Sequence, residues 1–250
     1  MKTKYFICSD IHGFYTEFKK ALRSKKFTIS NPNHKLIIIG DVFDRGKEAK
    51  KLLNYLLKLK KLNKLIIIKG NHESCMEKCL EDLKNHNAIA FYHFHNGTVN
   101  TIEQLTNINQ YDLLLGYYNY KKDIESKLKD YFQLIKDAPY YYEINDYILT
   151  HGYIPHIRCY GNLKYCGKDE WEKSMWLNGM EESHNGWKLK NKIIIVGHFH
   201  TSFGHYNYHH IGSGEFEPDS CFDIFKDNGI IALDACTVLT KKINILTLLI

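Results

Sequence analysis

The chain has 250 residues but no apolar run long enough to cross a bilayer. A strand-like phrase already ends in a carboxylate at Asp10, which predicts no signal peptide. The seven cysteines include no CxxC pair, and their odd number argues against a disulfide framework, so a reducing cytoplasm is the expected setting. Arginine is scarce: Arg23, Arg45 and Arg158 are the only three, and the formal charge of +6 is almost wholly lysine. Linker-like stretches and internal duplications are missing as well. These absences predict no membrane span and exclude a disulfide-stapled module and a tandem-repeat array.

What the chain does have is one phrase used four times. Residues 35–41 read KLIIIGD, 64–71 KLIIIKGN, 192–198 KIIIVGH and, more loosely, 5–10 YFICSD. Short Ile and Val runs without polar alternation read as strands covered on both faces. Each phrase therefore delivers its last residue to a strand's carboxyl end. Gly40, Gly70 and Gly197 precede three of these residues, where a sharp turn or a close approach is needed. Asp10, Asp41, Asn71 and His198 are predicted to meet at one sheet edge.

Asp10 to Asp41 and Asp41 to Asn71 are each about 30 residues apart, the length of a strand, a helix and a return to a parallel strand. Residues 1–84 thus read as βαβαβ followed by a helix, with helices over 14–25, 47–62 and 73–84. Lysines in 47–64 alternate with Leu52, Leu53, Leu56, Leu57 and Leu59 at helical spacing, a solvated helix face rather than a nucleic-acid patch. Residues 85–138 have helical periodicity and read as a helical insertion or cap within one domain covering 1–250. Strands follow at 140–144, 147–150, 193–196, 205–211, 221–225, 230–235 and 243–250, which implies a second sheet. The fold class is α/β, with two packed mixed sheets flanked by helices.

Several short motifs carry potential chemistry. Asp10 and His12, two apart at a strand end, can address one ion. The segment 40–46 (GDVFDRG) sets Asp41, Asp44 and Arg45 between glycines, although Asp44 can equally cap the following helix. Asn71 and His72 add an amide oxygen and an imidazole, and His151 and His198 each add an imidazole after an apolar strand.

Taken together, these blocks resemble the calcineurin-like metallophosphoesterases, and within them the compact bacterial and phage serine/threonine phosphatases. That group's blocks are Asp-x-His-Gly, Gly-Asp-x-x-Asp-Arg-Gly, Gly-Asn-His-Glu, His-Gly and Gly-His, and all five occur here in order between residues 10 and 198. Looser support comes from Asn96-Gly97-Thr98 and the carboxyl-terminal stretch 229–248. The resemblance implies an αββα sandwich with two divalent metal ions, manganese first, iron or zinc otherwise. Asp10, His12 and Asp41 would hold one ion, and Asp41, Asn71, His151 and His198 the other, with Asp41 bridging. A shared hydroxide would attack phosphorus directly. His72 would then be general acid, Asp44 would orient it, and Arg45 with Asn71 would bind phosphate.

The chain departs from that pattern in two places. Asn178 stands in the stretch where relatives usually place a second phosphate-binding arginine, which leaves Arg158 as a candidate replacement. His200, two residues after His198, resembles the Gly-His-x-His of nucleases and phosphodiesterases and offers an extra ligand or a polar surface residue. His205, His209 and His210 read as a surface strand near the cleft.

The leading expectation is a phosphomonoesterase acting on phosphorylated proteins or small phosphoesters, with neither nucleic acid nor membrane as partner. Glu73 favours this branch, since the symmetrical dinucleoside polyphosphate hydrolases tend to have Asp there. That hydrolase is the first alternative, and a nuclease or phosphodiesterase the second.

Overall fold

The isoleucine phrases become the centre of two stacked sheets. The computed structural model describes residues 2–86, 88–156 and 162–250. Its first part runs β1 (Lys4–Cys8), α1 (Tyr15–Ser24), β2 (His34–Ile39), α2 (Ala49–Lys61), β3 (Leu65–Ile68) and α3 (Asn71–His86), then α4 (Phe91–His95), α5 (Thr98–Thr106) and α6 (Gln110–Ile135). The remainder runs β4 (Tyr141–Ile144), β5 (Tyr147–Thr150), α7 (Lys168–Ser174), α8 (Gly179–His184), β6 (Ile193–Val196) and α9 (Thr201–His209). It closes with β7 (Phe225–Asp227), β8 (Ile230–Ala232), α10 (Thr237–Thr240) and β9 (Leu246–Leu249). One sheet has the order β3-β2-β1-β9 and the other β4-β5-β6-β8-β7. β1, β2 and β3 are mutually parallel, as are β5, β6 and β8, with antiparallel strands at the edges.

The two-residue period of a strand explains the layers. Ile7, Ile37, Ile39, Ile68, Leu149, Ile195 and Ile231 point inward and fill the space between the sheets. Their neighbours Phe6, Cys8, Leu36, Ile38 and Ile67 point outward, onto the apolar sides of α1 and α2 and of α5 and α6. On the second sheet Ile148, Ile194, Val196, Ile230 and Ala232 face Trp171 and Met180 from α7 and α8. A strand buried on both faces therefore needs an apolar residue at every position, which is what the repeated phrase provides. Val99, Ile102, Leu128 and Tyr131, from helices within 85–138, belong to the same outer layer as α1 and α2. Among the described residues no helix is long and apolar enough to cross a membrane.

The structure corrects the sequence expectation at several points. Residues 205–211 do not form a strand: α9 runs to His209, and His210 turns left-handed to end it. The alternation of histidine and tyrosine imitates a strand period, but Thr201, Ser202, Gly204 and His205 are buried along one helix face. Gly204 permits that packing, since a Cβ there would sit 2.6 Å from Met180 Sδ and 2.7 Å from the Phe225 ring. The strand expected at 221–225 begins only at Phe225, and those at 230–235 and 243–250 shorten to β8 and β9. Cys166 is disulfide-bonded, whereas Cys8, Cys75, Cys79, Cys221 and Cys236 are free thiols.

Replacing Ile195, fully buried between the sheets, with alanine is expected to lower unfolding free energy by about 2–5 kcal/mol. The exposed Leu239→Ala should change it by no more than about 0.5 kcal/mol. Urea denaturation monitored by circular dichroism measures both.

Candidate active site

Each strand end delivers its side chain through a tight turn. Asp10 and His12 follow β1, Asp41, Asp44 and Arg45 follow β2, and Asn71 and His72 open α3 directly after β3. From the second sheet, His151 follows β5 and His198 follows β6. Six of these residues, Asp10, His12, Asp41, Asp44, Arg45 and His198, have φ between +50° and +72°. Non-glycine residues held there cost on the order of 1 kcal/mol or more each and persist only where the surroundings over-determine them. Gly40, at φ +71°, shows how tight the junction is: a Cβ would lie 2.5 Å from His151 Nδ1 and 2.7 Å from Gly70 Cα.

Backbone carbonyls fix two of the imidazoles. His12 Nδ1–H donates to Phe43 O at 3.1 Å, and His151 Nδ1–H to Ile39 O at 2.9 Å. Their Nε2 atoms therefore face the centre, as metal-ligating histidines do when a carbonyl sets their tautomer. His151 Nε2 lies 2.8 Å from Asn71 Oδ1 and 3.2 Å from Asp41 Oδ1. Acceptors so close demand a positive charge among them, a proton or a metal ion. His12 Nε2 is 3.8 Å from Asp41 Oδ2 and 4.0 Å from Asp10 Oδ1. Ligand atoms of His12, Asp41 and His72 form one compact group, and those of Asp41, His151 and His198 a second, with Asp41 common to both.

The electrostatics point the same way. Asp10, Asp41, Asp44, Glu73 and Asp234 are all buried, while Arg45 is the only lysine or arginine lining the pocket among the described residues. Burial pushes the Asp10 carboxyl up to about 6. Burial would raise Asp41 too, but His151 and His72 hold it well below the usual carboxylate range. Burial opposes a charge on His151, yet the Asp41 carboxylate and its hydrogen bond raise that ring to about 10. Burial lowers His198 to about 4 and holds His12 well below its ordinary value, leaving neutral imidazoles suited to coordination. The carboxylate, amide and imidazole donors fit two divalent ions, with no thiolate in either group.

Beside this centre, His72 Nδ1–H donates to Asp44 Oδ2 at 2.8 Å, and Arg45 Nη2 donates to His72 Nε2 at 3.1 Å. Burial disfavours a charged His72, but Asp41 and Asp44 outweigh it and raise its pKa. Asp44 is itself held by two hydroxyls from α5, Thr101 Oγ1 at 2.7 Å and Thr98 Oγ1 at 2.9 Å. It orients His72 and does not cap the following helix, where no side-chain cap bond is formed.

The roles of three groups went unread in the sequence. Glu73 accepts from the backbone N–H groups of Asp41 and Val42 at 3.0 Å and of Gly70 at 2.9 Å, fastening the turn after β2 to the turn after β3. The Thr98 and Thr101 hydroxyls form a second group. Asn96 and Trp176 complete a cavity of about 90 Å³ otherwise lined by His12, Asp41, Arg45, Asn71, His72 and His198. A strand end followed by Asn-x-Glu hints at Glu73, while the other two depend on tertiary approach.

The remaining candidates are turned to other tasks. His200 Nε2 pairs with Glu215 at 2.9 Å and its ring stacks on Phe199. Asn178 caps α8, its side-chain oxygen accepting from Met180 N and Glu181 N. His205 bonds Asp223 O, and His209 packs on Phe225. Neither residue, nor His210, lines the cavity. Arg158 lies outside the described residues.

Two facing sheets thus gather carboxylates, imidazoles and an arginine from their strand ends around one small polar cavity. The chain belongs to the calcineurin-like phosphoesterases, whose family model matches residues 3–233. Over 69 residues it is 45% identical to the symmetrical bis(5'-nucleosyl)-tetraphosphatase of Buchnera aphidicola subsp. Schizaphis graminum, a match covering 28% of this chain and 23% of that protein. Over 80 residues it is 39% identical to Shewanella-like protein phosphatase 1 of Plasmodium berghei, covering 28% and 22%. The matches thus span less than a quarter of either relative. A cold-active protein tyrosine phosphatase shares the fold, with TM-score 0.55 at 18% identity over 98% of this chain and 73% of that one.

In Glu73→Gln an NH₂ group must face one of the three backbone donors. Stability should fall by about 1–3 kcal/mol, and divalent-metal affinity, measured by calorimetry on the folded variant, should drop at least about tenfold. Asp44→Asn should lower kcat by at least about 100-fold with little change in KM, in keeping with loss of proton transfer; steady-state kinetics on an alkyl phosphate, whose leaving oxygen requires that proton, measures both.

Proposed function

We propose that the chain is a phosphomonoesterase using two divalent ions, manganese first among them, and that its substrates are proteins phosphorylated on serine or threonine. The observation that carries this reading is the size and charge of the cavity. About 90 Å³ admits one phosphoryl group and leaves the rest of the substrate outside. Among the described residues Arg45 is the one lysine or arginine in its lining, which suits a single phosphate better than a polyphosphate chain.

Asp10, His12 and Asp41 would hold one ion, and Asp41, Asn71, His151 and His198 the other. Bound there, the ions would supply Lewis acidity, activating water and neutralising charge on the phosphoryl oxygens. The protein's own residues do the rest. The Arg45 guanidinium leaves His72 Nε2 to pair with two phosphoryl oxygens in its planar fork. His72, its Nδ1–H held by Asp44, then carries a proton on Nε2 and passes it to the leaving oxygen. The Asn71 amide reaches a phosphoryl oxygen. Among the described residues no cysteine or serine lines the cavity, which supports direct attack by water rather than a phospho-enzyme on either residue.

A second reading, hydrolysis of dinucleoside tetraphosphates, draws on the likeness to the Buchnera aphidicola enzyme. The two are separated by kcat/KM for a phosphoserine peptide and for diadenosine tetraphosphate, with manganese in excess. The first reading expects at least about a tenfold preference for the peptide; a reversed preference would replace it with the second.

A further inference from the structure

A second cavity lies away from the site described above, between α1 and the chain that leads into β9. It has about 680 Å³ and is lined by Lys20, Ala21, Lys25, Ile224, Lys242 and Ile243, among others. That volume falls in the range of about 300–1,000 Å³ typical of small-molecule sites. Its floor is apolar, formed by Ala21, Ile224, Ile243 and Ile245. Its rim carries Lys20, Lys25, Lys241 and Lys242 against Glu17 and Asp223. Asp223 is already paired with Lys242, and Lys241 Nζ sits 4.2 Å above the Phe14 ring. Lys20 and Lys25 have no ion-pair partner among the described residues. An apolar floor under an excess of cations selects an amphipathic anion.

One wall of the cavity is tied to the metal-binding turn. The Thr237 hydroxyl lies 2.8 Å from the Asp10 carbonyl oxygen and 3.1 Å from that of Lys242. It has a single proton for the two acceptors, so moving the Lys242 backbone changes the bond made to Asp10. The connection is short and stiff: α10 is bracketed by Cys236 at φ +51° and Lys241 at φ +55°. Thr240 Oγ1 bonds back to Ala235 O at 2.7 Å. Asn244, also in the wall, donates to Phe222 O and Leu233 O, locking the opposite side of the segment.

We propose that this cavity is an effector site for a small amphipathic anion, a carboxylate, sulfonate or phosphate on an apolar body, whose binding is felt at Asp10 through Thr237. Linkage requires the effect to be reciprocal: a metal ion held near Asp10 must alter affinity for the anion by the same factor as the anion alters affinity for the metal.

The test uses the full chain and 8-anilinonaphthalene-1-sulfonate, titrated calorimetrically without metal, with manganese and with zinc. Wild type should bind one probe, and either metal should shift its Kd at least threefold. Lys25→Glu, which removes a rim cation, and Ala21→Trp, which fills the floor, should each weaken binding at least tenfold. Thr237→Val should still bind the probe but lose the metal-dependent shift. Equal probe affinity in wild type and both cavity variants would overturn the site. A Kd unmoved by both metals, or a shift that survives in Thr237→Val, would overturn the link to Asp10.

Discussion

Among the described residues, five carboxylates buried around one small cavity, with a single arginine in its lining, set the terms for the rest of the structure. An unpaired buried charge is far too costly to leave alone, so each acid must find donors, share a proton or face a cation. The solutions differ from residue to residue. Glu73 takes three backbone N–H groups, and Asp44 takes two threonine hydroxyls and an imidazole. Asp10 Oδ2 accepts from His198 N, Asp41 Oδ1 from His72 N and Asp234 Oδ1 from Cys236 N. Glu73 and Asp44, with three donors each, position other groups. Asp10, Asp41 and Asp234 have fewer, and Asp10 and Asp41 face the imidazoles of His12 and His151.

That division needs both sheets. Asp10, His12 and Asp41 come from the first, His151 and His198 from the second, and His151 reaches across to Ile39 O. The inter-sheet isoleucine layer is thus part of the site's construction, since sliding one sheet along the other would separate the two halves of the cation centre. The left-handed turns at Asp10, Asp41 and His198 are tolerable for the same reason. Their strain is small beside the burial of the large aliphatic side chains in that layer.

Legibility followed from how local each signal is. The strand–ligand phrases were readable because a doubly buried strand demands continuous apolar residues and the turn after it has few solutions, so Asp10, Asp41, Asn71 and His198 were placed by period and spacing alone. The packing of two sheets between helices was readable in the same way. α9 was misread because Tyr206 and Tyr208 alternate with His205, Asn207 and His209, a strand-like rhythm that burial against Met180 and Phe225 overrides. Thr98 and Thr101 were invisible for another reason. Two threonines near a helix start are ordinary, and only the packing of α5 against the turn after β2 brings them to Asp44.

At the mouth of the cavity Trp176 stands half exposed with its ring edge-on to His198, 5.8 Å between centroids. Asn96 lines the same mouth from the turn before α5. That turn is pinned: Gly97 packs against the Arg45 backbone so closely that a Cβ there would collide with Arg45 N. The same helix start supplies Thr98 to Asp44, so a lining residue of the cavity and a support of Asp44 come from three consecutive residues.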